Sequence, residues 1–184
     1  EEIAKKFDCA EIQSQLVTAY INQRLYDKAQ MVINKYPKFP IMQSQLISIY
    51  IEKWKESAKE KMLDEAEQKA KEFSEYLPIQ SQLITIYMLK GEYDKAEKLA
   101  KRFPNYAPIQ SQLVTIYIKK WQDEEAVKIA DNFKWYEPIQ EQLLELYMNQ
   151  NNFKKAKEIA DFMPHSKIIK NKFLSFRNIT GGDK

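Results

Sequence analysis

The phrase Gln-x-Gln-Leu occurs five times, at Gln13–Leu16, Gln43–Leu46, Gln80–Leu83, Gln110–Leu113 and Gln140–Leu143. Four residues after each leucine stands a tyrosine: Tyr20, Tyr50, Tyr87, Tyr117 and Tyr147. An alanine follows in every unit, at Ala29, Ala66, Ala96, Ala126 and Ala156. The step is 30 residues except once, between Tyr50 and Ala66, where it lengthens to 37. A period of this size requires units that bury their apolar faces against one another, because one unit alone cannot.

Each unit reads as two helices. In the third, Pro78 sits where a helix begins, the place at which its missing N–H costs least. Leu83, Ile84, Tyr87 and Met88 then share a face, and Gly91 breaks the run. A second helix is expected from Glu92 to Phe103, with Tyr93, Ala96, Ala100 and Phe103 as its stripe, before Pro104. Three glycines in the chain leave little room for β-turns. The expected fold is therefore all-α, a solenoid of stacked antiparallel helix pairs. Repeats are placed at 11–40, 41–77, 78–107, 108–137 and 138–167, a capping helix at 168–179, and a disordered tail at 180–184.

The seven-residue insertion, Lys55-Glu56-Ser57-Ala58-Lys59-Glu60-Lys61, is close to two helical turns and predicts a longer, solvated hairpin end. It reads either as a plain extension or as a spur for a partner. Glu2-Ile3-Ala4-Lys5-Lys6-Phe7 matches Lys98–Phe103, so residues 1–8 read as the end of a truncated repeat and the chain as a C-terminal piece of a longer protein. Ile168 to Ile179 aligns with a first helix in which Gln-x-Gln has become Lys170-Asn171-Lys172, which suits a closing helix.

The unit Leu83-x3-Tyr87-x3-Gly91-x-Tyr93-x2-Ala96 resembles the tetratricopeptide repeat, whose period is about 34 residues. The resemblance spans nearly the whole chain and implies a right-handed superhelix. First helices then line the concave side, where protein or peptide segments bind. The family's second small residue in the first helix is replaced by Val17, Ile47, Ile84, Val114 and Leu144. Pro78 to Ile84 is also similar to the first helix of pentatricopeptide repeats, which read single-stranded RNA one base each.

On the non-core face of the first helices, residues four apart pair Ser14 with Thr18, Ser44 with Ser48, Ser81 with Thr85 and Ser111 with Thr115. In the fifth unit the same places hold Glu141 and Glu145. These hydroxyls either bond back to their own helix or face a ligand. The first glutamine of each pair lies near the core seam and reads as part of a ladder that sets unit spacing. The second, as in Gln45, Gln82 and Gln112, points elsewhere and is free to meet a peptide. The candidate partner-binding residues are thus Ser14, Thr18, Ser44, Gln45, Ser81, Gln82, Thr85, Ser111, Gln112, Thr115, Glu141 and Glu145.

The RNA alternative has Ser14, Ser44, Ser81 and Ser111 at the pentatricopeptide base-reading position. Its partner position holds Cys9, Phe39, Tyr76, Tyr106 and Tyr136, where that family has small polar residues. No lysine or arginine lies between any Gln-x-Gln and its tyrosine, so the centre of the face lacks cations for phosphates. The balance of 29 basic and 26 acidic residues, net +3, is mixed rather than one-sided. Self-association is the third reading.

Catalytic chemistry has no residues to rest on. His165 is the only histidine and Cys9 the only cysteine, which leaves no zinc set and no Cys–His pair. No Gly-rich phosphate loop is present, and no cofactor or metal is expected. A single cysteine fits a reducing, cytoplasmic location. No apolar run approaches a membrane span.

Overall fold

In a computed structural model the described residues are 10–180, and they contain eleven helices and no strand. The truncated opening repeat, Cys9 and residues 181–184 lie outside the described residues. In chain order the helices are α1 (Ala10–Asn22), α2 (Tyr26–Ile33), α3 (Pro40–Ser57), α4 (Glu60–Lys71), α5 (Leu77–Leu89), α6 (Tyr93–Ala100), α7 (Ala107–Lys119), α8 (Asp123–Asn132), α9 (Glu137–Asn149), α10 (Phe153–Phe162) and α11 (Lys167–Thr180). The chain forms two compact units, Glu1–Ala96 and Glu97–Lys184, the division falling within α6.

Odd-numbered helices are the first helices of the repeats, and α3, α5, α7 and α9 begin alike. Phe39, Tyr76, Tyr106 and Tyr136 are extended N-cap residues, each followed by proline in the first turn. The proline removes an N–H that would lack a partner, and the N-cap carbonyl accepts the next two, as Tyr76 does from Ile79 and Gln80. Phe39 and its tyrosine counterparts thus start helices; Phe39 directly precedes its proline, where extended backbone is favoured, whereas Leu77, Ala107 and Glu137 separate the tyrosines from theirs.

The first helices end on a left-handed residue at Arg24, Gly91, Trp121 and Asn151, with φ of 58°, 73°, 58° and 54°. In each case the next N–H returns to the repeat tyrosine's carbonyl, as Glu92 does to Tyr87 at 2.8 Å. In the second repeat this residue is Ala58, because the insertion moves the turn outward. The seven residues are shared: α3 is 18 residues long where the other first helices of the repeats have 13, and α4 has 12. Glu56 of the extension is anchored by Arg24 and Tyr26 of the preceding hairpin, both at 3.1 Å.

All five repeat alanines are fully buried, so a side chain larger than methyl would meet the neighbouring helix. Val17, Ile47, Ile84, Val114 and Leu144, which stand where tetratricopeptide repeats have a small residue, are equally buried. Bulk has therefore moved to the first helix and smallness is kept in the second. In the first unit Val17 and Ala29 share one core cluster with Ile33, Met42, Leu46 and Ile49. Helix α11 buries Ile169, Phe173 and Phe176, and Phe153 of α10 lies 5.3 Å from the Phe173 ring.

Candidate functional site

The two glutamines of each motif are two residues apart, so they leave the helix on nearly opposite sides. The first is buried and reaches backward to the frayed end of the preceding second helix. Gln80 donates to the Phe73 carbonyl at 3.1 Å. Gln110 donates to Phe103 at 2.9 Å and Ala100 at 3.4 Å, and Gln140 to Ala130 at 3.0 Å and Phe133 at 3.3 Å. Each of those carbonyls already accepts a turn bond from the N–H three residues on, as Phe73 does from Tyr76 at 3.2 Å and Ala100 from Phe103 at 3.1 Å, and the amide adds a second. The sequence reading of this glutamine as a tie to the neighbouring backbone agrees with the geometry.

The second glutamine does not stand free as expected; it spans two first helices. Gln45 Nε2 donates to the Ser14 carbonyl at 2.7 Å and to Thr18 Oγ1 at 2.9 Å. Gln82 Nε2 repeats this on the Ser44 carbonyl at 2.9 Å and Ser48 Oγ at 2.8 Å, while Ser44 Oγ donates to Gln82 Oε1 at 3.0 Å. Gln142 Nε2 donates to Ser111 Oγ at 2.9 Å. Each such rung ties the amide of one helix to the hydroxyl pair of the helix before it.

The hydroxyls are held as well. Thr18, Ser48, Thr85 and Thr115 each donate to the carbonyl four residues back, at 3.0 to 3.2 Å. Ser14 donates to Glu11 at 2.8 Å. With their protons turned into the helix, Thr18 and Ser48 act as acceptors on their outer side and take the rung amides of Gln45 and Gln82 there, whereas Ser44 donates to Gln82 instead. Ser111 is buried, whereas Thr18 is exposed and Ser44, Ser81, Gln82, Thr85, Gln112 and Thr115 are half-buried.

At the fifth repeat the row changes chemistry. Glu141 and Glu145 take the hydroxyl places, and Lys172 of α11 stands one period after Gln142. Lys172 Nζ is 2.6 Å from Glu141 and also pairs with Glu145. Hydrogen bonds from both carboxylates hold the ammonium pKa above its usual value. The acidic end read from sequence is thus partly neutralised from within.

A second set of ties crosses from second helices to the next first helix. Glu67 bonds Lys71 on its own helix and Lys90 at the C-cap of α5, each at 2.6 Å. Burial raises the Glu67 pKa, but the hydrogen bonds from Lys71 and Lys90 outweigh it and hold the carboxyl below its usual range. Thirty residues on, Glu97 meets Lys101 at 2.5 Å and Lys120 at 2.6 Å. Glu97 and Lys101 form an i,i+4 pair, and the reach of Glu97 to Lys120 makes it an inter-helix tie. In the next unit the glutamate becomes Val127 and the lysine Gln150, which bonds Asp123 at 2.7 Å. A cavity of about 300 Å³ opens there, lined by Val127, Leu143, Tyr147, Ile159 and Phe162.

Among the described residues no group of His, Cys, Asp and Glu is placed to hold a metal, and no helix is long and apolar enough to cross a membrane.

No family model matches the sequence, and no curated protein matches it. Two solved structures are similar in fold. A thermophilic tetratricopeptide-repeat protein of Thermus thermophilus superposes with a TM-score of 0.65 at 18% identity, covering 91% of this chain and 98% of that one. A tetratricopeptide-repeat protein of Parabacteroides merdae gives 0.55 at 15% identity, covering 93% of this chain and 73% of that one. The chain has the all-α helical-repeat fold of tetratricopeptide proteins, reached with first-helix side chains that the common pattern lacks.

Proposed function

We propose that this chain is a non-catalytic scaffold that holds an extended protein segment on the first-helix face of its repeats. The observation that carries the reading is the inward turn of the hydroxyl protons. The lone pairs that the rung amides leave on these oxygens suit the main-chain N–H groups of an extended peptide and the donors of lysine or arginine side chains. They do not suit phosphates, which are themselves acceptors and need cations. Ser14, Thr18, Ser44, Gln45, Ser81, Gln82 and Thr85 form this face in the first unit. Ser111, Gln112, Thr115, Glu141 and Glu145 form it in the second. The fold supports the scaffold reading because tetratricopeptide repeats commonly serve protein–protein interaction.

Substituting the glutamines would confound such a test, because Gln45, Gln82 and Gln142 hold helices together. The better probes are Thr85→Arg and Thr115→Arg, which place a long cation on the row and keep the rung amides. A display library of short unstructured peptides is sorted against the full chain. The recovered binders should lose at least tenfold in affinity to the two variants, with unchanged helical circular dichroism. Binders indifferent to both variants would remove this face. Salt-sensitive binding of single-stranded RNA in place of peptides would favour the RNA alternative.

A further inference from the structure

The joint between α8 and α9 lacks a lysine that the joints before it hold. Lys71 Nζ sits 2.6 Å from Glu67, and thirty residues on Lys101 Nζ sits 2.5 Å from Glu97 and 5.8 Å from the centre of the Tyr117 ring. An ammonium thus ends between a carboxylate of its own helix and the tyrosine of the next. One period later the three places hold Val127, Asp131 and Tyr147. The anion has become a valine and the cation an aspartate, while the tyrosine stays. All three line the cavity of about 300 Å³, a volume that suits a small ligand.

The groups of this cavity that lack a counterpart are acceptors. Lys134 pairs with Asp131 at 3.5 Å, and Lys155 Nζ stands 5.0 Å from the centre of the Tyr147 ring. Lys95 stands over Tyr87 in the same way, at 5.7 Å, in a joint where Lys71 is present as well. Lys155 is therefore the tyrosine's usual neighbour and does not replace the missing lysine. Glu158, also in the lining, has no cation within ion-pair distance among the described residues. Gln140 lines the cavity too and is only 2% exposed. Its Nε2 is taken by the Ala130 and Phe133 carbonyls, and no described residue donates to its Oε1. Beside these oxygens the walls are apolar: Val127, Leu143, Ile159 and Phe162. Oxygens without donors suit a ligand that donates, and apolar walls next to them suit a methylene chain. An anionic ligand would find both lysines engaged and Glu158 repelling it.

We propose that this cavity binds an aliphatic ammonium ion, in the place where the preceding joints keep a lysine of their own. Its methylenes lie against Val127, Leu143, Ile159 and Phe162, and its N–H groups donate to Gln140 Oε1 and toward the Glu158 carboxylate. A small alkylamine and a lysine side chain of a bound protein share this chemistry.

n-Hexylammonium, hexanol and hexanoate are titrated in turn into the full chain carrying carbon-13 methyl groups, and the methyl resonances are followed. The ammonium should shift Val127, Leu143 and Ile159 saturably, hexanol should bind about tenfold more weakly, and hexanoate should not bind. The double variant Val127→Glu, Asp131→Lys rebuilds the Glu97–Lys101 arrangement, so the protein's own lysine should fill the cavity and abolish binding with helical circular dichroism kept. Glu158→Gln, on an exposed side chain, should weaken binding several-fold, and it decides the matter if the double variant does not fold. Thr85→Arg should bind as the parent chain does, which separates this cavity from the first-helix row. A short lysine peptide that gives the same shifts, and loses them in the same variants, makes the source a partner's lysine; response to hexylammonium alone makes it a small amine. No saturable shift with the ammonium, equal affinity for hexanoate, or binding unchanged in both cavity variants overturns the proposal.

Discussion

The Gln82 rung and the Lys172 rung occupy equivalent places and do the same mechanical work with opposite chemistry. Gln82 makes three neutral hydrogen bonds to Ser44 and Ser48. Lys172 makes ionic contacts to Glu141 and Glu145. The neutral rung does not distinguish neighbours, because each unit that carries it offers an amide to the unit before and hydroxyls to the unit after. The charged rung does distinguish them. Lys172 set against a hydroxyl pair would lose both carboxylates, and a glutamine set against Glu141 and Glu145 would leave two anions without a cation. Helix α11 is thereby matched to the fifth repeat, while the repeats joined through glutamine share one joint.

The comparison can be broken most sharply at its neutral member. Gln82→Ala should cost about 1–3 kcal/mol in urea unfolding, the range for removing a part-buried group with several hydrogen bonds, and the loss should not depend on salt. A change within error would mean that the amide carries no load. Lys172→Ala should cost less, about 1 kcal/mol at low salt, because Glu145 and Lys172 are more than a third exposed and solvent screens them. That cost should shrink as sodium chloride is added, and the triple change Lys172→Gln, Glu141→Ser, Glu145→Thr should restore stability by installing the neutral joint. Failure of the triple variant to recover would show that the two rungs are not interchangeable.

The smallest effect expected is on pH dependence. Glu67 has its folded pKa lowered from 4.5, so its ties to Lys71 and Lys90 add stability that is complete above that value and lost as pH falls through the lowered one. Glu67→Gln should flatten the acid limb of the stability curve there. An unchanged acid limb would show that this carboxylate adds nothing to the joint between α4 and α5.

Much of the helix order was legible because it is written in backbone chemistry. Prolines 78, 108 and 138 mark starts, and the alanines mark close approach. The turns were legible only where glycine stood. Gly91 was read as a break, but Arg24, Trp121 and Asn151 take the same left-handed backbone with side chains attached, and Trp121 does so while 90% exposed. The tie made by the second glutamine was not legible, because sequence shows which side of a helix a residue leaves, not how far the adjacent helix stands from it. The Lys172 contact had a signal, since lysine falls one period after Gln142 and glutamates replace the hydroxyls it would meet. Reading the two substitutions as one compensated change would have found it.

The lengthened hairpin of the second repeat also has a practical side. Seven residues were added to a periodic chain, yet the rung from Gln82 to Ser44 and Ser48 closes across the insertion with the same donors and acceptors as the rung before it. The tip at Ala58 and Lys59 is exposed and leads away from these joints. It is a natural splice point, where a fluorophore, an epitope or a whole folded domain can be grafted and the array beneath will keep count of its repeats.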